Sequence, residues 1–168
     1  MKMKEEHIRE RLRSLLNKKI SAIGRAGSML WLGFGELIPR KNFRGEIRNV
    51  NEYALHVSCS WRLTDGKKII VASRDMYFPK IGMSDENFDW DVLGNNRFDE
   101  KVNILCQAIK THVINVDELI VDKYGGLTVR FTNGNELEVF PDDSFEEEYW
   151  RFISNVNESE HLVVFQEK

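Results

Sequence analysis

Apolar and polar side chains alternate without a break from Tyr53 to Leu63. Tyr53, Leu55, Val57, Cys59, Trp61 and Leu63 share one parity, and Ala54, His56, Ser58, Ser60 and Arg62 share the other. Successive side chains on a strand point to opposite faces, so the pattern predicts a strand with one apolar, aromatic face and one small, polar face. Thr64-Asp65-Gly66-Lys67 supplies the turn, because Asp-Gly accepts the positive φ of a tight hairpin. The return strand runs from Lys68 to Ser73 and ends in Arg74-Asp75. The polar face is thereby expected to gather His56, Ser58, Ser60, Arg62 and one or both of Arg74 and Asp75.

The rest of the chain changes period twice. Met3, Ile8, Leu12, Leu15 and Leu16 recur at helical spacing among charges, which predicts an amphipathic helix over about residues 3–17. Met29-Leu30-Trp31-Leu32-Gly33-Phe34 reads as a buried strand, with Gly24, Gly27, Gly33 and Gly35 marking turns or a bulge. Residues 40–51 read as a polar connection. Residues 79–97 read as an irregular acidic loop whose Phe88 and Trp90 pack down on the body. Val102, Leu105, Cys106 and Ile109 form the stripe of a second helix over 98–112, with Asp99 and Glu100 favouring its first turn.

From Val113 onward the chain reads as a meander. Gly125-Gly126 and Asn133-Gly134 are turns, and Leu127, Val129 and Phe131 are the inward positions between them. Arg130 is expected across from Glu136 or Glu138. Short strands follow at 150–153 and 161–165, and no internal repeat occurs. These elements predict a single α+β domain over 1–168. Its mostly antiparallel, strongly twisted sheet has about six to eight strands, with an N-terminal helix on the sheet or its edge and one central helix. Tyr53, Leu55, Val57, Trp61, Trp31, Leu127, Val129 and Phe131 are the expected core.

Composition narrows the function classes. The 168 residues are 42% hydrophobic and 30% charged, with a net charge of −3 and a pI near 5.9. That is a globular balance, long enough to bury a core. It lacks the basic footprint of a nucleic-acid binder. No apolar run approaches the ~20 residues of a membrane span, and the charged start, Met1 to Glu6, has no apolar centre of a signal peptide. Cys59 and Cys106 form no C-x-x-C and read as thiols of a reducing cytoplasm. Asn157-Glu158-Ser159 matches a glycosylation acceptor, a chance match in a cytoplasmic chain.

The chemical motifs are incomplete. Ser58 or Ser60 with His56 and Asp75 has the residue types of nucleophile, base and orienting acid. Residues two apart on a strand stand parallel, about 6.5 Å apart, and no G-x-S-x-G elbow surrounds either serine. Asp89, Asp91, Gly94 and Glu100 fit positions of a calcium loop, but Leu93 stands where an oxygen ligand belongs. Gly33-Phe34-Gly35 lacks the remaining glycine of a dinucleotide loop, and no Gly-Lys-Ser/Thr occurs. His7, His56, His112 and His161 are scattered, so no metal site and no cofactor are expected. Trp90 and Trp150 are flanked by acids. Trp90, and Trp150 with Glu146, Glu147, Glu148, Tyr149 and Arg151 around it, are candidate partner contacts, since aromatics and arginine dominate interface hot spots.

Three pieces carry a resemblance. Leu55 to Arg62, Ser73 to Tyr77, and Leu137 to Pro141 followed by Glu148 to Phe152 resemble a family of small bacterial proteins of unknown function, from about residue 27 onward. The resemblance carries no functional residue over and implies a bacterial, cytoplasmic setting. Small acidic α+β proteins of this kind are often immunity partners of secreted toxins, an analogy of class. The favoured expectation is a non-catalytic protein-binding protein that masks a basic partner. The alternative is a small-ligand or enzyme site around His56, Arg62, Arg74 and Asp75. In the flanking sequence Ile69 to Ala72 and Met76 to Phe78, Arg74 and Asp75 are each expected to make at least one salt bridge or charge-assisted hydrogen bond, with Arg62 as a neighbour of Asp75.

Overall fold

The computed structural model describes residues 2–157 and 160–166; the Met3 side chain and the Glu158-Ser159 part of the acceptor pattern lie outside the described residues. The class is α+β, with the N-terminal and central helices in place. In chain order the elements are α1 (Lys2–Leu12), β1 (Ile20–Ala26), β2 (Met29–Lys41), β3 (Ile47–Val57), β4 (Ser60–Thr64), β5 (Ile69–Ala72), α2 (Arg97–Thr111), β6 (Val116–Val121), β7 (Leu127–Phe131), β8 (Glu136–Phe140), β9 (Glu148–Ser154) and β10 (Leu162–Phe165). Short 3₁₀ turns occupy Arg13–Leu15 and Ser73–Tyr77. The strands form two antiparallel five-stranded sheets, ordered β1-β2-β3-β9-β10 and β5-β4-β8-β7-β6.

Two sheets of five thus stand where one sheet of about six to eight was expected, and the division falls inside the predicted long strand. Val57 ends β3 in the first sheet, and Ser60 begins β4 in the second. At the corner, the Ser58 and Cys59 N–H groups both donate to the Tyr149 carbonyl, at 2.8 and 3.1 Å. Strands that switch sheets at a bend are the usual way such corners are made. The alternation passes through unchanged because Val57 and Trp61 are an even number of residues apart. Tyr53, Leu55, Val57, Trp61 and Leu63 are all buried. A second seam joins the sheets near their other ends, where the Asn17 N–H donates to Val116 O and the Val116 N–H to Lys18 O, both at 2.9 Å.

The turns follow the local chemistry. Gly66 and Gly134 take φ of 82° and 85° in the two predicted hairpins, a region costly for other residues. Arg130 faces Glu136 across β7 and β8 and pairs with it at 2.7 Å; Glu118 joins from β6 at 2.6 Å. Trp31 corrects the expected core. Leu30, Leu32 and Phe34 hold the inward parity of β2, so Trp31 lies half-buried on the outer face, over the bare Cα of Gly24. A Cβ at Gly24 would run into its indole. Residues 40–51 are the larger correction. The polar connection is instead a continuation of the β2–β3 ladder, which pairs from Leu37↔Asn51 out to Lys41↔Ile47. Ladder hydrogen bonds need no apolar side chains, so polar sequence forms strand here.

The inward faces of both sheets, with Ile8, Leu12 and Leu15 at the N-terminus, make one core. α1 packs beside the edge strand β6, and Arg9 reaches the Val121 carbonyl. α2 packs on β1 and β5, an edge strand of each sheet. Asn96 caps α2 by accepting the Asp99 N–H at 2.8 Å, and its own amide donates to Trp90 O. The fixed point is Arg25. It shares the inward parity of Ile23 and is only 8% exposed. Its Nε and Nη2 grip both oxygens of Asp99, each at 2.9 Å. Nη1 donates to Gly27 O and Nη2 to Asp91 O.

A buried pair broken on one side leaves an uncompensated charge, at a cost of about 3–5 kcal/mol. Arg25→Ala is expected to lower the unfolding free energy by that amount in urea titration, which is a fall in Tm of about 6–20 °C for a chain of this size. Arg25→Lys recovers little, since an ammonium cannot form the two-pronged contact. A parent-like melting curve for Arg25→Ala removes the pair from this role.

Candidate functional site

The expected polar face is divided by the corner. His56 lies on the outer face of the first sheet, in a cross-strand row with Trp31 on β2 and Arg151 on β9. Arg151 is held by Glu148, with Nε donating to Oε1 at 2.6 Å. Burial pushes the His56 imidazole below its ordinary value, and the Arg151 charge adds to this. Arg62 lies on the outer face of the second sheet and grips Glu138 with Nε and Nη2, the latter at 3.0 Å. Together with the Glu118–Arg130–Glu136 ladder, it makes that face a surface whose charges pair with one another.

Arg74 and Asp75 leave the sheet altogether, on the Ser73–Tyr77 turn. Asp75 accepts the Ala72 N–H at 2.9 Å and the Lys101 ammonium at 3.4 Å. Its partner is therefore a lysine on α2, not Arg62. Arg74 is exposed and makes neither a salt bridge nor a side-chain hydrogen bond among the described residues, against expectation: the turn aims it outward rather than along the apolar strand that precedes it.

Three of the predicted residues do meet. Ser58, Ser60 and Arg74 line a cleft of about 190 Å³ at the corner, with Cys59, Ser73, Asp142 and Asp143. The Ser60 hydroxyl donates to Asp142 Oδ2 at 2.6 Å. The Cys59 thiol is pushed up to about 12, chiefly by burial and then by Asp142, so it is no thiolate near neutral pH. His56 does not line this cleft. The set offers a cation and hydroxyls opposed by two carboxylates; the group in hydrogen-bond contact with Ser60 is the Asp142 carboxylate rather than the imidazole that the sequence pattern paired with the serines.

The two tryptophans part company. Trp90 is half-buried, its ring tilted against Tyr77 at 5.2 Å. Trp150 is fully buried, and its Nε1–H donates to Gly125 O at 2.7 Å. It is core rather than a partner contact, because the strand parity of β9 places Trp150 and Phe152 inward. What its acidic neighbours surround is Phe145, 67% exposed between Asp142-Asp143 and Glu146-Glu147.

Sequence reasoning missed two features. Arg25 is one: an arginine at inward parity beside Ile23 was the available signal. Of the acids aligned to a calcium loop, Asp91 approaches the Arg25 guanidinium, with its Oδ1 at 3.8 Å, while Asp89 accepts the Asp91 N–H and Glu100 the Ile81 N–H. The main partner of Arg25 is Asp99, at 2.9 Å, which stands outside that alignment. Among the described residues no cluster of acids, histidines or cysteines forms a metal site, and no helix is long and apolar enough to cross a membrane.

The other missed feature is the arm made by the outer halves of β2 and β3. β1 pairs with β2 only as far as Phe34, and β9 with β3 only as far as Tyr53. Beyond these points Leu37, Pro39 and Ile47 share one face, because facing residues of a ladder point the same way. Leu37 is 63% and Ile47 68% exposed, and Phe43 at the tip is 92% exposed. The Asn42 side chain closes the tip by accepting the Arg44 and Glu46 N–H groups, and the Arg44 guanidinium lies over the Phe43 ring at 5.2 Å. Arg40, Lys41, Arg44 and Arg48 oppose a single acid there, Glu46. No protein-family model, curated protein or solved structure matches the chain.

His56 yields a pH test with a definite sign. Its lowered folded-state value means that the unfolded chain takes up the proton first. Its stabilising contribution is present above the ordinary value of about 6.5 and is lost as pH falls from there through the folded value. Glu52, lowered by its bond to Lys18, and Glu138, lowered by Arg62, act below the ordinary 4.5, so the two windows separate. Urea midpoints are expected to fall between about pH 7 and 5 in the parent, and less steeply in His56→Gln. Equal slopes in the two proteins would sink this assignment.

Proposed function

We propose that the chain is a non-catalytic protein-binding protein whose main contact element is the β2–β3 arm. One observation carries the reading: Leu37, Pro39, Ile47 and Phe43 stand uncovered on a projecting ladder ringed by arginine and lysine. A two-stranded ribbon is marginal by itself, and an exposed apolar patch with a polar rim is the usual mark of an interaction site. Aromatic and arginine side chains are the types that carry interface energy. The spread of His56, Arg62 and Asp75 over separate faces, with Arg62 held by Glu138 and Asp75 by Lys101, weighs against the enzyme reading.

The finer form of this reading is an immunity-type partner of a bacterial toxin, acting in the cytoplasm. Its support is the net charge of −3 and the acidic segment around Phe145, which suit a basic region of the target; the cationic rim of the arm suits an acidic one, so on this form the partner presents both. The alternative, a small-ligand site, keeps one specific support: Arg74 without an ion pair in the serine-lined corner cleft.

Site-specific photo-cross-linking separates these surfaces. A cross-linker at position 43 is expected to trap one protein in the cells of origin, and a cross-linker at Thr128 on the outer face of the second sheet is not. Phe43→Asp with Ile47→Asp should abolish the capture while leaving the melting curve nearly unchanged, since exposed substitutions usually shift stability by less than about 0.5 kcal/mol. Cross-linking at 145 that survives this double variant would move the contact to the acidic segment. No specific product at either position would count against protein binding altogether.

A further inference from the structure

The corner cleft holds charges of both signs that do not neutralise one another. The Ser73–Tyr77 turn supplies Arg74, and the segment after β8 supplies Asp142 and Asp143. All three line the cleft, yet Arg74 pairs with neither acid and with no other described residue. Each acid has one oxygen engaged. Asp142 Oδ2 accepts the Ser60 hydroxyl at 2.6 Å, and Asp143 Oδ1 accepts the Phe145 N–H at 3.0 Å. Asp142 Oδ1 and Asp143 Oδ2 accept nothing among the described residues. Both negative charges bear on the Cys59 thiol, where they add to the effect of its burial, so both carboxylates act at the corner itself.

This combination selects its ligand by charge. A guanidinium with its donors free takes a carboxylate by two parallel hydrogen bonds. A carboxylate with a free oxygen takes an ammonium, and a serine hydroxyl can serve either group. An anion alone would meet the two acids, and a cation alone would meet Arg74. A molecule carrying both charges satisfies both sets at once. Size narrows the class further. The cleft, about 190 Å³, is smaller than the roughly 300 Å³ at which drug-sized pockets begin. At about 30 Å³ per water it has room for about six waters, which is the bulk of glycine, alanine or serine. Ser58, Arg74, Asp142 and Asp143 are exposed, so such a molecule enters without any opening of the fold.

We propose that the corner cleft binds a small free α-amino acid as its zwitterion, with the carboxylate on the Arg74 guanidinium and the ammonium on Asp142 Oδ1 and Asp143 Oδ2. The arm does not line this cleft, so the proposal does not rest on the protein-binding reading.

Nuclear magnetic resonance on the ¹⁵N-labelled full chain tests the assignment. The signals read are the Ser60 backbone amide and the Arg74 Nε–H, the latter identified by its absence from Arg74→Gln. Glycine, L-alanine and L-serine are the probes, and at least one is expected to shift both signals saturably at millimolar concentration. The N-acetyl form of that amino acid lacks the ammonium, and its amide lacks the carboxylate. Each is expected to bind the parent protein at least about tenfold more weakly, the loss of one charge-assisted contact. Arg74→Gln and Asp143→Asn are expected to weaken the Ser60 response by a similar factor. Arg74 is exposed, and the asparagine keeps the oxygen that accepts the Phe145 N–H, so parent-like melting curves are expected for both. Should either variant lose the dispersed spectrum of the parent, the two blocked ligands still decide the matter on the unaltered chain. No saturable shift with any of the three amino acids overturns the proposal. Equal binding of either blocked form overturns the zwitterion, and undiminished binding in either folded variant overturns the placement.

Discussion

The two-pronged grip of Arg25 on Asp99 is the constraint from which much of this architecture follows. A guanidinium at an inward position of a sheet edge is unfavourable unless its donors are all taken. Here β1 supplies the cation, α2 the carboxylate, and the 79–96 loop a carbonyl and a second acid. Three segments distant in sequence are thereby fixed to one point. The same contact sets where α2 sits. The helix is anchored at its first turn on Arg25 of β1, Lys101 reaches Asp75 just after β5, and its later half lies over β1, where the Cys106 thiol donates to the Ile23 carbonyl.

The corner at Ser58-Cys59 plays the corresponding part for the sheets. A flat antiparallel sheet of ten strands would expose a large apolar face; folding it back at a corner buries two faces against each other. The chain does this without altering its alternation, which explains why the sequence pattern reads as one long strand. Periodicity reports which side a residue faces, not which sheet it belongs to. The small residues Ser58, Cys59 and Ser60 were the only local hint, since a tight bend favours small side chains. Element type, the two helices, the Asp65-Gly66 and Asn133-Gly134 turns and most core positions were legible because they depend on local period and turn chemistry.

What was not legible depends on partners far along the chain. Trp150 among glutamates looks exposed until β9 is placed between β3 and β10, after which its parity sends it inward. Asp75 looks like a partner for Arg62 only if β4 and the 73–77 turn stay in one plane, and they do not. The arm was hidden for the opposite reason. Polar strands without a buried face have no hydrophobic period to detect, and only the β2–β3 ladder reveals them.

A common logic links the outer surfaces. On the second sheet, Arg62–Glu138 and Glu118–Arg130–Glu136 pair charge with charge in register. On the first, Trp31 lies over Gly24 and Arg151 is occupied by Glu148. Exposed ion pairs of this sort stabilise little, but they keep a sheet face from attracting another chain. The arm differs in its apolar residues rather than in its charges. Arg40 stands opposite Arg48 in the register, but Arg48 pairs with Glu46 at 3.1 Å and Arg40 donates to the Asn155 carbonyl at 3.0 Å. Leu37, Phe43 and Ile47 lie uncovered, and an exposed apolar set with a polar rim is the physical reason the arm is the proposed contact element.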